Sequence, residues 1–198
     1  MPSPIQPLPA TASVRTLSAT STYVALIRGI NVGGHNRISM AELRAVFSSL
    51  GHQDVTTLIQ SGNVVFRSGA GDVAAIARET EQRLADDFGL GVSVLLRTPP
   101  ELAQVAGNNP FLTGETDLAR LHVLFLDGPP AAGAVAGLDP IWSPPDRFNV
   151  HGREIYVHYP NGAGRSRLTV GYFESRLGVS ATARNWNTVL KLAELAHG

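Results

Sequence analysis

The order of apolar runs, capping signals and glycine stops predicts an α+β protein: two tandem ferredoxin-like βαββαβ halves and a C-terminal helix. Three observations lead there. Strand-type and helix-type segments follow one another as β-α-β-β-α-β over 22–107, and a similar order returns over 108–198. Gly69-Ala70-Gly71 stands fourteen residues before Arg83-Leu84, and Gly162-Ala163-Gly164 stands fourteen before Arg176-Leu177. The chain has 198 residues and is 43% hydrophobic, enough for one large or two small cores.

Each element has its own signal. Tyr23 to Ile27 is a short apolar run that meets Gly and Asn, as a buried strand entering a loop does. Ser39 and Glu42 form a capping box for a helix whose Met40, Leu43, Val46, Phe47 and Leu50 recur at helical spacing before Gly51. Val55 to Ile59 and Asn63 to Arg67 read as a hairpin about Ser61-Gly62. Asp72 caps a second helix that ends at Gly89, and Val92 to Arg97 is a strand stopped by Pro99-Pro100. After a short helix from Glu101 to Ala106 the second half begins with the strand Leu121 to Leu126. Ala131 to Leu138 is an Ala/Gly-rich helix candidate. Arg147 to Val150 and Glu154 to Tyr159 form a hairpin around His151-Gly152. A helix over Leu168 to Leu177 stops at Gly178, an extended piece covers Ala181 to Arg184, and a last helix runs from Asn187 to Ala196.

Composition narrows the function. Lys+Arg and Asp+Glu both number 16, so the basic excess of a dedicated nucleic-acid binder is missing and a nucleic-acid partner is not supported by net charge. With no cysteine there is no disulfide, thiolate metal site or cysteine nucleophile, and the cytoplasm is the expected compartment. No apolar stretch reaches the ~20 residues of a membrane helix, so no membrane partner is expected. Residues 1–21, rich in Pro, Ser, Thr and Ala, read as a disordered extension without the apolar centre of a signal peptide.

Several polar clusters are candidates for a site. Gly29 to Gly34 has the glycine spacing of a P-loop, but His35 and Asn36 replace the Lys and Ser/Thr that grip phosphate and magnesium. Arg28, Asn31 and Asn63 fall at the ends of strands expected to be neighbours, where amides serve loop stapling as readily as recognition. The stretch from His158 to Leu168 joins a strand to a helix. Its glycines are explained by turn geometry, because the equivalent turn ending at Asp72 shares them; Asn161, Arg165 and Arg167 need a second reason, and anion binding supplies one. Arg184 and Trp186 precede the last helix, where a cation would favour an anion and an indole could stack or anchor. The six histidines show no metal-ligand spacing, and no metal site or cofactor is expected.

RGINVGG (Arg28 to Gly34), IQSGNVVF (Ile59 to Phe66), NNPF (Asn108 to Phe111), HYPNGAGRSRL (His158 to Leu168) and ARNWNTVLKL (Ala183 to Leu192) are co-linear from about Tyr23 to Ala196. In these five motifs the chain resembles the bacterial family called domain of unknown function 1697. The resemblance implies an α+β fold of two ferredoxin-like halves and a small cytoplasmic protein, and it brings no catalytic residues. His35 and Arg167 stand where that family often has Lys.

The expectation is a module that binds a small anionic, phosphate-bearing ligand, nucleotide-like or RNA-like, through Asn161, Arg165, Arg167 and Arg184, with Arg28, Asn31 and Asn63 as a second cluster and Trp186 available to stack. The alternatives are an enzyme acting on a phosphorylated or carboxylated molecule, with His158, His35 or Glu174 as base, and a structural or partner-binding protein.

Overall fold

The computed structural model describes residues 20–197; the N-terminal extension expected over 1–21 lies, but for Thr20 and Ser21, outside them. Eight strands form two four-stranded antiparallel sheets with one strand order between them. The first holds β1 (Ser21–Ile27), β2 (Gln53–Leu58), β3 (Asn63–Ser68) and β4 (Val94–Arg97) in the order β2-β3-β1-β4. The second holds β5 (Leu121–Leu126), β6 (Arg147–His151), β7 (Glu154–His158) and β8 (Ala181–Asn185) in the order β6-β7-β5-β8. Both are ferredoxin-like.

The helices cover the sheets from outside and from between. α1 (Met40–Ser49) starts at the Ser39–Glu42 capping box, and α2 (Val73–Phe88) starts where Asp72 accepts from the Ala74 and Ala75 amides. They pack on the face of the first sheet that carries Tyr23, Ala25, Ile27, Val64 and Phe66. α4 (Val170–Leu177) covers the outer face of the second sheet over Leu124, Leu126, Ile155 and Val157. The opposite faces meet in a central core. There Val24, Leu26 and Val65 of one sheet and Leu121, Val123 and Phe125 of the other close around α3 (Pro99–Gly107) and α5 (Trp186–His197). Both central strands are therefore buried on both faces, which is why YVALI and LHVLFL run apolar without alternating.

Two helices begin earlier than the sequence suggests. α3 starts at Pro99, because Thr98 and Glu101 form a second capping box and proline fits the first turn. α5 starts at Trp186, directly from β8, with the Asn185 side chain accepting from the Asn187 amide. The helix expected over Ala131 to Leu138 is only a 3-10 turn at Val135–Gly137. Gly133, at φ +81°, and Gly137 weaken that stretch, and the prolines at 129, 130 and 140 confine it. The second half thus covers part of its outer face with a loop, through Leu138 and Trp142, where the first half uses α1.

Candidate functional site

Each half sends one arginine from its edge strand into the other. Arg97, the last residue of β4, donates from Nη2 to the Leu126 carbonyl at the end of β5 at 2.9 Å and from Nε to Glu154 Oε1, at the start of β7, at 3.0 Å. Arg184 of β8 donates from Nη2 to the Ile27 carbonyl at the end of β1 at 2.9 Å and from Nε to Asn63 Oδ1, at the start of β3. The two arrangements correspond strand for strand, and both side chains are buried, at 2% and 7% exposure.

They differ in charge. Arg97 meets the Glu154 carboxylate, and Arg153 and Glu101 pair beside it. Arg184 meets neutral acceptors alone among the described residues: Asn63, Thr182 Oγ1 and the carbonyls of Ile27, Gly62 and Ala183. Burial lowers its pKa to about 10, and no carboxylate restores it. For Arg97 burial acts in the same direction, but Glu154 and Glu101 oppose it.

Arg184 forms the floor where two adjoining lobes of a groove meet between the halves. The first lobe, about 570 Å³, lies over the outer edge of β8 beneath the Gly29–Gly34 loop. Arg28 crosses its side, donating to Glu174 Oε2 at 2.8 Å and to the Ala181 carbonyl at 3.2 Å. The second lobe, about 450 Å³, lies between the β2–β3 hairpin and the start of α4, against Tyr159 and His122. Ser61, Val170, Ala183 and Arg184 line both.

Two helix starts face the second lobe. Thr169 and Val170 are the cap and first residue of α4, and Asn185 and Thr188 belong to the start of α5. The first amides of a helix have no acceptor within it and carry a partial positive charge. Here Thr169 Oγ1 satisfies Tyr172 N and Asn185 Oδ1 satisfies Asn187 N. With Arg184 and Arg28 set against Glu174 alone, the groove carries more positive than negative charge. His122 adds none in neutral solution, because burial holds its pKa below the usual 6.5.

The structure gathers some of the expected residues and disperses others. Arg28, Asn63 and Arg184 come together at the seam. Asn31 staples its loop, its amide donating to the Ile38 and Gln60 carbonyls. Trp186 is 1% exposed in the central core and has no face left for a ligand. Asn161 and Arg165 are exposed on either side of Ala163, which lines the second lobe. Arg167 is held on Trp142, with its guanidinium 4.8 Å from the ring centre and bonded to the Trp142 carbonyl. Of the nominal bases, His158 is locked between Glu115 at 2.8 Å and Arg147 at 3.0 Å, and Glu174 is bonded to Arg28. His35 is exposed in the glycine loop.

Sequence reasoning missed the Arg97–Glu154 counterpart, and missed Thr182, His122 and Ile59 as groove residues. An arginine at or near the end of a buried edge strand is a readable signal, present in both β4 and β8. Nothing in the sequence reveals that Ile59 has φ +50°, a left-handed conformation rare for a β-branched residue.

No curated protein matches the chain. Among solved structures it is similar to the conserved bacterial protein SP0830 from Streptococcus pneumoniae, at 24% identity and a TM-score of 0.72. That similarity covers 91% of this chain and 100% of that one, and shows the shared fold. A family model described as "Protein of unknown function (DUF1697)" matches residues 20–156, more than half of the length, and takes in both interlocking elements Arg97 and Glu154. The chain belongs to that family.

Proposed function

We propose that the protein is a binding module for a small anionic molecule, held in the groove between its halves beside Arg184. One observation carries this reading: Arg184 is a buried cation with neutral partners, while its counterpart Arg97 has a carboxylate. Keeping a guanidinium charged where its pKa is about 10 instead of 12.5 costs on the order of 3 kcal/mol. An anion in the groove would offset that cost. Two helix starts favour the same charge, and the lobes have the size of small-molecule sites. All five guanidinium N–H groups already have acceptors, the weakest being Gly62 O at 3.5 Å. The anion is therefore held mainly by field and by helix amides, with Ser61, Thr169 and Thr188 as hydroxyl donors.

A cytoplasmic setting is consistent with the lack of cysteine, and an internal duplication accounts for the repeated strand order. Among the described residues no helix is long and apolar enough to cross a membrane.

The test is thermal stability against phosphate, sugar phosphates, nucleotides and short RNA at two salt concentrations. An anion at a hundred times its dissociation constant adds ~2.7 kcal/mol. Thr182→Asp sets a carboxylate beside Arg184 and should abolish the shift, while Thr182→Val, of equal size, should keep it. A shift that survives Thr182→Asp places the anion elsewhere; no shift with any anion refutes the reading. Short RNA alone, with steep loss in salt, would make the ligand a polyanion.

A further inference from the structure

We infer that the ligand of this groove is an amphipathic acid: an anionic head at Arg184 joined to an aliphatic body. This rests on the anion reading above and specifies its chemistry. The observation is where exposed aliphatic side chains stand. Val32 is 63% exposed and Ile59 54%, second and third among exposed large hydrophobics of the described residues after Ile141. Val32 lines the first lobe and Ile59 the second, so the two flank the seam.

Both are held out by backbone that has no reason of its own to do so. Val32 sits in a loop with positive φ at Asn31, Gly33 and Gly34, fixed by the Asn31 amide and by Asn36 donating to the Gly29 carbonyl. Ile59 is left-handed at φ +50°, where glycine or asparagine is the ordinary residue. Strain of that kind persists where surrounding structure enforces it, and it gathers at ligand sites. The hairpin enforces it here. Gly62, the last residue of the turn, has φ +73° and lies so close to Ile27 and Ile30 that a Cβ there would approach Ile30 Cγ1 to 2.8 Å. The hairpin cannot shift toward β1 to relax Ile59.

Below these rims each lobe has aliphatic wall beside its polar groups. Ile27, Ile30, Val92 and Val170 line the first lobe, and Leu168 lines the second. No Phe or Trp lines either lobe, and of the two aromatic rings in the second, Tyr159 is buried and His122 packs edge-on against it. Arg184 and Ser61 stand at the seam, and the exposed Val32 and Ile59 flank it. That is the pattern a short alkyl phosphate or alkyl carboxylate complements, and both share the chemistry of a small acid on a hydrocarbon body.

The experiment is calorimetric titration of the full chain with inorganic phosphate, then methyl, butyl and hexyl phosphate, and in parallel acetate, butyrate and hexanoate. All stay monomeric at the concentrations needed. Affinity should rise by roughly three- to fourfold per added methylene until the lobe is filled. The two series separate a phosphate head from a carboxylate head. Val32→Ser and Ile59→Gly should each flatten the rise with chain length; Ile59→Gly should do so without lowering the melting temperature, because glycine accepts φ +50°. Inorganic phosphate or acetate bound without gain from the alkyl chain overturns the aliphatic body and leaves the anion reading standing. Tighter binding of a sugar phosphate than of butyl phosphate does the same. No binding by any member overturns both.

Discussion

At the scale of single residues, His52 shows how a buried polar atom sets a pH limit. It follows α1, with its ring centre 4.6 Å from that of Phe66 and 5.9 Å from that of Phe47, and its Nε2 has no hydrogen-bond partner among the described residues. Burial lowers its pKa below 6.5, opposed in part by Glu79. The folded imidazole therefore takes up a proton less readily than the unfolded one. Its contribution to stability is complete above pH 6.5 and declines as pH falls from there through the folded pKa. Urea denaturation at pH 7.5, 6 and 5 should show this loss, and His52→Phe should remove its share of it. His122 shifts in the same direction, so part of the slope remains in that variant. Glu42 and Glu101 are also lowered, but from 4.5, so their losses come at more acid pH and do not confuse the comparison. In Glu101 burial by itself would raise the pKa, and the hydrogen bonds with Thr98 together with the charges of Arg153 and Arg97 outweigh it.

At the scale of elements, the two interlocking strand ends should respond differently to the same change. Arg97→Met strands the Glu154 carboxylate, 15% exposed, without its cation. Breaking a buried pair in this way costs about 3–5 kcal/mol. Arg184→Met removes a charge that had no counter-charge and leaves only neutral acceptors behind, so it should cost clearly less despite the similar burial. Equal losses by chemical denaturation would contradict the charge asymmetry from which the anion reading starts. The elements were legible to different degrees for identifiable reasons. Ser39, Asp72, Gly51 and Gly178 gave α1, α2 and α4 away because caps and stops are local chemistry. The 3-10 turn at Val135–Gly137 was misread as a helix because alanines supply propensity while Gly133 and the flanking prolines withhold it. At the site, Arg28, Asn63 and Arg184 were named from sequence, but what each touches depends on how one sheet docks on the other, as in the bond between Asn63 and Arg184, 121 residues apart. Arg167 drew notice for its charge and is occupied by Trp142, a partner no local pattern indicates.

At the scale of the whole molecule, the central core makes the two halves one cooperative unit. α5 packs on α3 and on β1, β3, β5 and β8, and so touches both sheets. It buries Trp186, Val189 and Leu192 between them. Trp186→Ala should cost about 3–5 kcal/mol and lower one shared transition without splitting it into two. A chain ending at Asn185 should lose the native far-ultraviolet spectrum of both halves, because the inner faces around Leu26 and Val123 would be left uncovered. That same placement has a consequence for synthesis. The first sheet is complete in sequence by Arg97, yet its inner face waits for residues that the ribosome adds some ninety positions later. During that interval the nascent chain presents an apolar sheet surface to whatever surrounds the exit tunnel. The first half thus keeps its inner face uncovered until α5 emerges, and the two sheets close their shared core only then.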